Sequence, residues 1–161
     1  MPKRSLKTLD DIIEKNPQGV DWHTSEETQK LMAMMTPLNR RKVIHAQEES
    51  HLKVGALYRR TRDGMQRAEV RFDGVSGCLR TPGGGSIIVD GSVIRSRLLS
   101  PREAARLMGL KDSYLLPSRY NDAYHLAGDG VVVPVVSHLD KNILGVIIEK
   151  NREVVSFAEA A

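Results

Sequence analysis

Arg97-Leu-Leu-Ser-Pro-Arg-Glu-Ala-Ala-Arg-Leu-Met-Gly109 is the stretch on which the fold turns. Ser100 is a helix cap, and Pro101 takes the first helical position, where a missing amide hydrogen costs little. Glu103 stands three residues past the cap and can reach back to it, while Gly109 can end the helix two turns later. Upstream, Arg67-Ala-Glu-Val-Arg-Phe72 alternates, placing Ala68, Val70 and Phe72 on one face of a strand and Arg67, Glu69 and Arg71 on the other. Val54 to Arg60 reads as another strand. Asp90-Gly91, between Ile87-Ile-Val89 and Val93-Ile94, supplies the positive φ values of a tight hairpin. Strands bracketed by helices predict an α+β fold.

The N-terminal third reads as helical. Leu6, Leu9, Ile12 and Ile13 repeat at helical spacing and stop before Asn16-Pro17. Thr24-Ser-Glu-Glu27 is a capping box that opens an apolar stripe through Leu31, Met34 and Met35, which we read as core. Thr36-Pro37 caps a third helix. Downstream, a short helix is expected from about Ser118 to Leu126. A long one should follow Gly128-Asp-Gly130, carrying Val133, Val136, Leu139, Ile143, Leu144 and Ile147, with Pro134 in its first turn.

Charge is unevenly spread. Residues 40–106 hold 14 of the 24 Lys and Arg but only 7 of the 20 Asp and Glu. Twelve of those cations are arginine, whose fork suits phosphate and guanine edges, so the segment reads as an electrostatic footprint for nucleic acid. No apolar run approaches the roughly 20 residues that span a bilayer, and Met1-Pro-Lys-Arg-Ser5 lacks the apolar core of a secretory signal. A single cysteine, Cys78, rules out an internal disulfide framework. Together these predict a cytoplasmic protein with no membrane partner.

Cys78-Leu-Arg-Thr-Pro-Gly-Gly-Gly-Ser86 places three glycines beside Arg80 and Thr81. Such a loop lets backbone amides approach a ligand closely between phosphate-binding groups. His23, His45, His51, His125 and His138 have no zinc-site spacing, so no metal is expected.

Taken in order, the alternating strand, the glycine loop, the hairpin, the Ser-Pro-Arg-Glu helix and Gly128-Asp-Gly-Val-Val-Val-Pro-Val135 resemble the last part of DNA (cytosine-5) methyltransferases. Residues 10–43, with Val20-Asp-Trp-His23, resemble the stretch leading into the recognition region of bacterial members. The resemblance implies a small target-recognition domain with a twisted antiparallel sheet, flanking helices and a long C-terminal helix that packs on a catalytic lobe. It divides the chain into a helical lead-in (1–50), a recognition domain (51–127) and a terminal turn and helix (128–161).

The family flips a cytosine out of the duplex, attacks it with a cysteine, and methylates it from S-adenosylmethionine. These residues contain no Pro-Cys nucleophile, no Glu-Asn-Val segment and no glycine-bearing cofactor turn of the usual early kind. Cys78 follows Gly77 in a strand-like setting and is not that nucleophile, so no catalytic residue is assigned and the chain alone is expected to be inactive. Cys78 also stands where family members often carry Thr.

The resemblance assigns double-stranded DNA contacts to Arg59, Arg60, Arg62, Arg71, Arg80, Thr81, Gly83, Gly84, Gly85 and Ser86. It assigns contacts with S-adenosylmethionine to Gly128, Asp129, Gly130 and Val131, where Asp129 replaces the usual Asn and exchanges an amide donor for a carboxylate. Arg102 and Glu103 are expected to be structural, through ties to neighbouring segments or through local capping. The expected partners are DNA and a catalytic lobe. Without that lobe, Val136, Leu139 and Ile143 form an exposed patch that invites self-association. The reading implies a bacterial or phage-encoded restriction-modification context; the alternative is a stand-alone regulatory DNA-binding protein on the same fold.

Overall fold

The computed structural model describes residues 7–49, 51–77, 79 and 84–151. Cys78, Arg80, Thr81 and Gly83 lie outside them. Two compact units are present, one ending at Gly130 and the other starting at Val131.

In the first unit, β1 (Lys53–Arg62), β2 (Met65–Arg71), β3 (Gly84–Asp90) and β4 (Val93–Leu98) form one antiparallel sheet in the order β2-β1-β3-β4. The architecture is α+β, as expected. The β1–β2 hairpin closes on Asp63-Gly64, with φ of 52° and 72° and Arg62 opposite Met65. Both central residues are left-handed, as the twist-matched two-residue hairpin turn requires. The second hairpin differs by one residue from expectation. Asp90 pairs with Val93, so the turn is Gly91-Ser92 rather than Asp90-Gly91, with φ of 53° at Gly91.

The helices start where the side chains can cap them. α2 (Ser25–Ala33) carries the reciprocal Thr24–Glu27 box, α3 (Pro37–Glu48) begins from Thr36, and α4 (Pro101–Leu107) carries the Ser100–Glu103 box. Gly109, at φ 80°, follows the end of α4 as a left-handed stop. α1 (Leu9–Ile12) is a single turn capped by Thr8 and Asp11. It is shorter than the periodicity suggested, because Ile13 turns extended and Glu14 is drawn into contacts with Arg97 and Glu103.

Alternation along the strands gives the sheet two apolar faces. Leu57, Ala68, Val70, Ile87 and Val89 pack under Leu31 and Met35 of α2 and its exit, and under Val43 and Ala46 of α3. The methionine stripe is thus core at Met35, with Met34 partly buried against the same cluster. Val54 and Ala56 point the other way, onto Leu9 and Ile12 of α1, with Leu107 alongside. Gly55 is required by this packing: a Cβ there would come within 2.8 Å of Phe72 and 2.9 Å of Ile87.

α4 packs on α5 (Tyr120–Asp129) through Ala104, Met108, Tyr124 and Ala127. The expected turn at Gly128-Asp-Gly130 is corrected here. Packing of Tyr124 and Ala127 against Met108 carries the helix through Gly128 and Asp129, and Gly130 is the first extended residue.

The second unit is helical. α6 (Val133–Leu139) starts at Val132 without a side-chain cap, with Pro134 in its first turn. A π-helical turn over Asp140–Leu144 follows, in which Gly145 N–H donates to the Asp140 carbonyl, and helix continues to residue 151. Its apolar side chains are exposed, at 47% for Val136, 44% for Leu139, 48% for Ile143 and 51% for Ile147. The lack of a bilayer-length apolar run in the sequence is qualified by this region. Within Tyr120–Asn151 an 18-residue window has a mean hydropathy of 1.6 and no buried share, so length and composition there suffice to cross a bilayer. Single polar residues had hidden this by breaking up the apolar runs.

Candidate nucleic-acid interface

The β1–β2 hairpin sorts its arginines by register. Arg60 lies directly opposite Arg67, Tyr58 opposite Glu69, and Arg71 opposite Ala56. Tyr58, Arg60, Arg62, Arg67, Glu69 and Arg71 therefore share one face. Glu69 is the acid among them, with its oxygens 3.6 Å from Arg60 Nε and 3.5 Å from Arg62 Nε. The Arg60 guanidinium also lies over the Tyr58 ring, 5.1 Å from its centre. Like charges directly opposite each other destabilise a strand pair, and a bound polyanion would relieve the Arg60–Arg67 opposition. Arg67 Nε is buried and has no hydrogen-bond partner among the described residues. Arg71 is already engaged by Asp73, which draws its guanidinium pKa further up and holds the Asp73 carboxyl below its usual range.

Four of the expected DNA contacts lie away from this face or within the sheet. Arg59 is on the opposite face from Arg60, as alternation demands, and Ser86 is fully buried in β3. The Ser86 hydroxyl thus has no route to a ligand. Gly84 and Gly85 form the first residues of β3, paired to Tyr58 and Leu57. Arg80, Thr81 and Gly83 fall outside the described residues.

A second cluster ties the sheet to the helices. Arg97 and Glu103, both fully buried, form a two-pronged pair at 2.6 and 2.7 Å. Glu103 also accepts from Ser100 N–H at 2.7 Å and from Glu14 N–H at 2.6 Å, so its cap and its tie are one arrangement. Arg97 donates in addition to the carbonyls of Leu98 and Glu14. Ser100 Oγ donates to the Glu14 carboxylate at 2.5 Å. Trp22 covers the cluster, with the Arg97 guanidinium 5.0 Å and that of Arg95 3.8 Å from its ring centre. Arg102 holds the loop after α4 by donating to the carbonyls of Lys111 and Tyr114. Arg102 and Glu103 thus each join neighbouring segments by hydrogen bonds, and the sequence had hidden Arg97 among the surface cations.

Gly128 and Asp129 close the last turn of α5, and Asp129 is exposed, 4.0 Å from His125 Nδ1. A Cβ on Gly130 would come within 3.0 Å of the Leu126 carbonyl oxygen, a tight contact at the point where the chain leaves the helix. Val131 is 68% exposed. Asp129 thus presents an exposed carboxylate between two glycines at the end of α5. Among the described residues, no three His, Cys, Asp or Glu side chains are grouped to hold a metal.

A cleft of about 220 Å³ lies between α2 and the sheet. Leu57, Gly85 and Leu98 line it from the strands, and Leu31 and Met34 from the helix. His23 is fixed at its side by a chain of contacts, Nδ1 to Ser96 Oγ and Ser96 Oγ to Thr28 Oγ1, each 2.9 Å. Lys30 and Arg59 also line it, and among the described residues neither enters a hydrogen bond or an ion pair.

Against known proteins, the model of the C-5 cytosine-specific DNA methylases matches residues 1–145. The chain belongs to that family. It is 36% identical over 73 residues to the Type II methyltransferase M.HhaI of Haemophilus parahaemolyticus, a stretch that is 44% of this chain and 22% of that protein. Over 48 residues it is 44% identical to M.HpaII of Haemophilus parainfluenzae, covering 30% of this chain and 13% of that enzyme. Over 70 residues it is 31% identical to M1.ScrFI of Lactococcus lactis subsp. cremoris, covering 44% of this chain and 18% of the relative. The chain thus aligns with less than a quarter of the length of each of these relatives. No solved structure matches it significantly.

Proposed function

We propose that this chain is the DNA-recognition, C-terminal part of a cytosine-5 methyltransferase, working with a catalytic lobe that carries the Pro-Cys and Glu-Asn-Val segments. The observation that carries the proposal is the second unit. A helix that exposes Val136, Leu139, Ile143 and Ile147 together is a surface awaiting cover, since soluble proteins rarely leave apolar patches of that extent open. Ser137, His138, Asp140, Lys141 and Asn142 interrupt its apolar run, and charged groups are costly at the centre of a bilayer. A protein surface accommodates both kinds of residue, and the family supplies one in its catalytic lobe.

On this reading the hairpin face of Arg60, Arg62 and Arg67 takes DNA phosphates, with Arg71 joining once it exchanges Asp73 for a phosphate. Arg80, Thr81 and the glycines from Gly83 to Gly85 extend the contact, and Ser86 is left out. Arg59 meets nucleic acid from its separate face. The Arg97–Glu103 pair holds the sheet on α4, keeping the recognition face at a fixed angle to the segment that leads to Gly130. Gly128, Asp129, Gly130 and Val131 complete one edge of the cofactor site. S-adenosylmethionine, when bound, supplies the methyl group. The residues here only hold its polar groups: the Asp129 carboxylate accepts from an ammonium or hydroxyl, and Gly130 leaves room for close approach.

The test is methyl transfer. Labelled S-adenosylmethionine and cytosine-containing duplex are incubated with the chain alone, then with a catalytic lobe of a family member lacking its own recognition region. Activity in the mixture only is expected. Activity from the chain alone, or a silent mixture in which the two parts are shown to be bound, refutes the reading.

A further inference from the structure

The cleft under α2 is not part of the hairpin face, and the cations it holds are of a different kind. Several arginines are held by acids: Arg97 by Glu103, Arg106 by Asp112, Arg71 by Asp73, Arg60 and Arg62 by Glu69. Lys30 and Arg59, which line the same cavity from α2 and β1, enter no hydrogen bond or ion pair among the described residues, and Lys30 feels the Glu27 carboxylate only through space. The acid beside them, Glu27, is occupied. Its carboxylate accepts from Thr24 N–H at 2.8 Å, which holds its pKa below the usual range and keeps it in the cap. Two uncommitted cations above an apolar floor of Leu31, Met34, Leu57 and Leu98 suit a ligand with a flat, weakly polar body and an anionic group attached. At about 220 Å³ the cleft is smaller than the usual range for drug-sized ligands, which points to a single ring system.

We propose that this cleft binds one unpaired nucleotide of a DNA strand, with the base against Met34 and Leu57 and its phosphate between Lys30 and Arg59. The proposal rests on the DNA reading above and goes beyond it, because the hairpin face grips phosphates of paired DNA and needs no base pocket. Position supports it: Gly85, at the start of the pairing between β3 and β1, lines the cleft beside Leu57. The pocket also gives Arg59, which stands apart from the other hairpin arginines, a ligand of its own. No bond is made or broken, and an unpaired base enters at less cost than one taken from the stack.

The experiment measures affinity of the full chain for two labelled duplexes of one sequence, fully paired or carrying a single unpaired thymidine, by fluorescence anisotropy at fixed salt. The bulged duplex should bind about tenfold more tightly, the scale of one buried base. The double variant Lys30→Glu/Arg59→Glu should bring that ratio to about one. The variant Arg60→Glu/Arg67→Glu should weaken both duplexes and keep the ratio. In the same protein, methyl-labelled Met34 should shift in the NMR spectrum with the bulged duplex and not with the paired one. Equal affinity for the two duplexes in the wild type overturns the proposal, as does a ratio that survives Lys30→Glu/Arg59→Glu. A Met34 shift of equal strength with free thymidine monophosphate assigns the cleft to a free nucleotide and overturns the DNA attribution. Failure to bind either duplex overturns the DNA reading itself, and this inference with it.

Discussion

Arg97 and Glu103 meet as a fully buried, two-pronged ion pair, Nη1 to Oε2 at 2.7 Å and Nη2 to Oε1 at 2.6 Å, although one belongs to β4 and the other to α4. Glu103 takes two further backbone donors, from Ser100 and Glu14, so all its lone-pair directions are used. Removing one member leaves the other charged and unpaired inside the protein, at a cost of roughly 3–5 kcal/mol. Glu103→Ala is expected to lose that much in chemical denaturation. Glu103→Gln, which keeps one acceptor, should lose less. Equal stability of Glu103→Ala and wild type would show that the pair is not what joins sheet to helix.

The two hairpin-side glycines should respond differently. Gly64 has φ 72° and open space around it, so Gly64→Ala pays only for the left-handed backbone, about 1 kcal/mol. Gly55→Ala drives a methyl to 2.8 Å from Phe72 and 2.9 Å from Ile87, where overpacking typically costs about 1–3 kcal/mol. Thermal melts of the two variants should rank Gly55→Ala as the less stable. The reverse order contradicts the sheet register.

Tyr120 donates to the Leu99 carbonyl at 3.2 Å and is half-buried against Tyr124. Burial pushes its phenol up to about 12, above the ordinary 10.0. Between those values the unfolded chain has released a proton that the native protein still holds, so stability falls as pH rises from 10 toward 12. Melting temperature should drop across that window, and Tyr120→Phe should flatten part of the drop. Identical slopes in the two proteins would mean Tyr120 titrates as a free phenol.

DNA binding should be salt-steep and should depend on the hairpin face. Arg60→Glu and Arg67→Glu should each weaken binding to unrelated duplexes alike, and the log–log salt slope should shrink by about one for each phosphate left without its arginine. Ser86→Ala should leave affinity unchanged, since its side chain is inside the sheet. A loss of binding confined to Ser86→Ala would invert the assignment of faces.

Local signals were legible in the sequence and tertiary ones were not. The Thr24–Glu27 and Ser100–Glu103 boxes, the Thr36 cap and the Gly109 stop are set by residues three or four apart, and each forms as read. The opposite faces of Arg59 and Arg60 follow from strand alternation alone and were available too, as was Asp63-Gly64, a stronger turn signal than Asp90-Gly91. The burial of Arg97 was not available, because Glu103, though close in sequence, reads as a cap alone, and the Glu14 carbonyl that completes the site is 83 residues away. The end of α5 likewise depends on Met108 beneath Tyr124 and Ala127 rather than on Gly128, so Gly128 and Asp129 sit in a helix end instead of a loop. Ser86 is buried because it shares its face of the sheet with Ala56 and Arg97, which α1 and α4 cover, and no local pattern carries that tertiary contact.

The central claim is that this chain is completed by a catalytic lobe docking on its exposed helix. Sedimentation of the full chain with such a lobe, taken from a family member and carrying the Pro-Cys and Glu-Asn-Val segments, tests it most directly. A one-to-one complex is predicted for the wild type, and its loss for Leu139→Asp/Ile143→Asp, which places charge on the docking surface while leaving the sheet and the Arg97–Glu103 pair untouched. Separate sedimentation of two folded partners, or a complex indifferent to those two substitutions, would contradict the account.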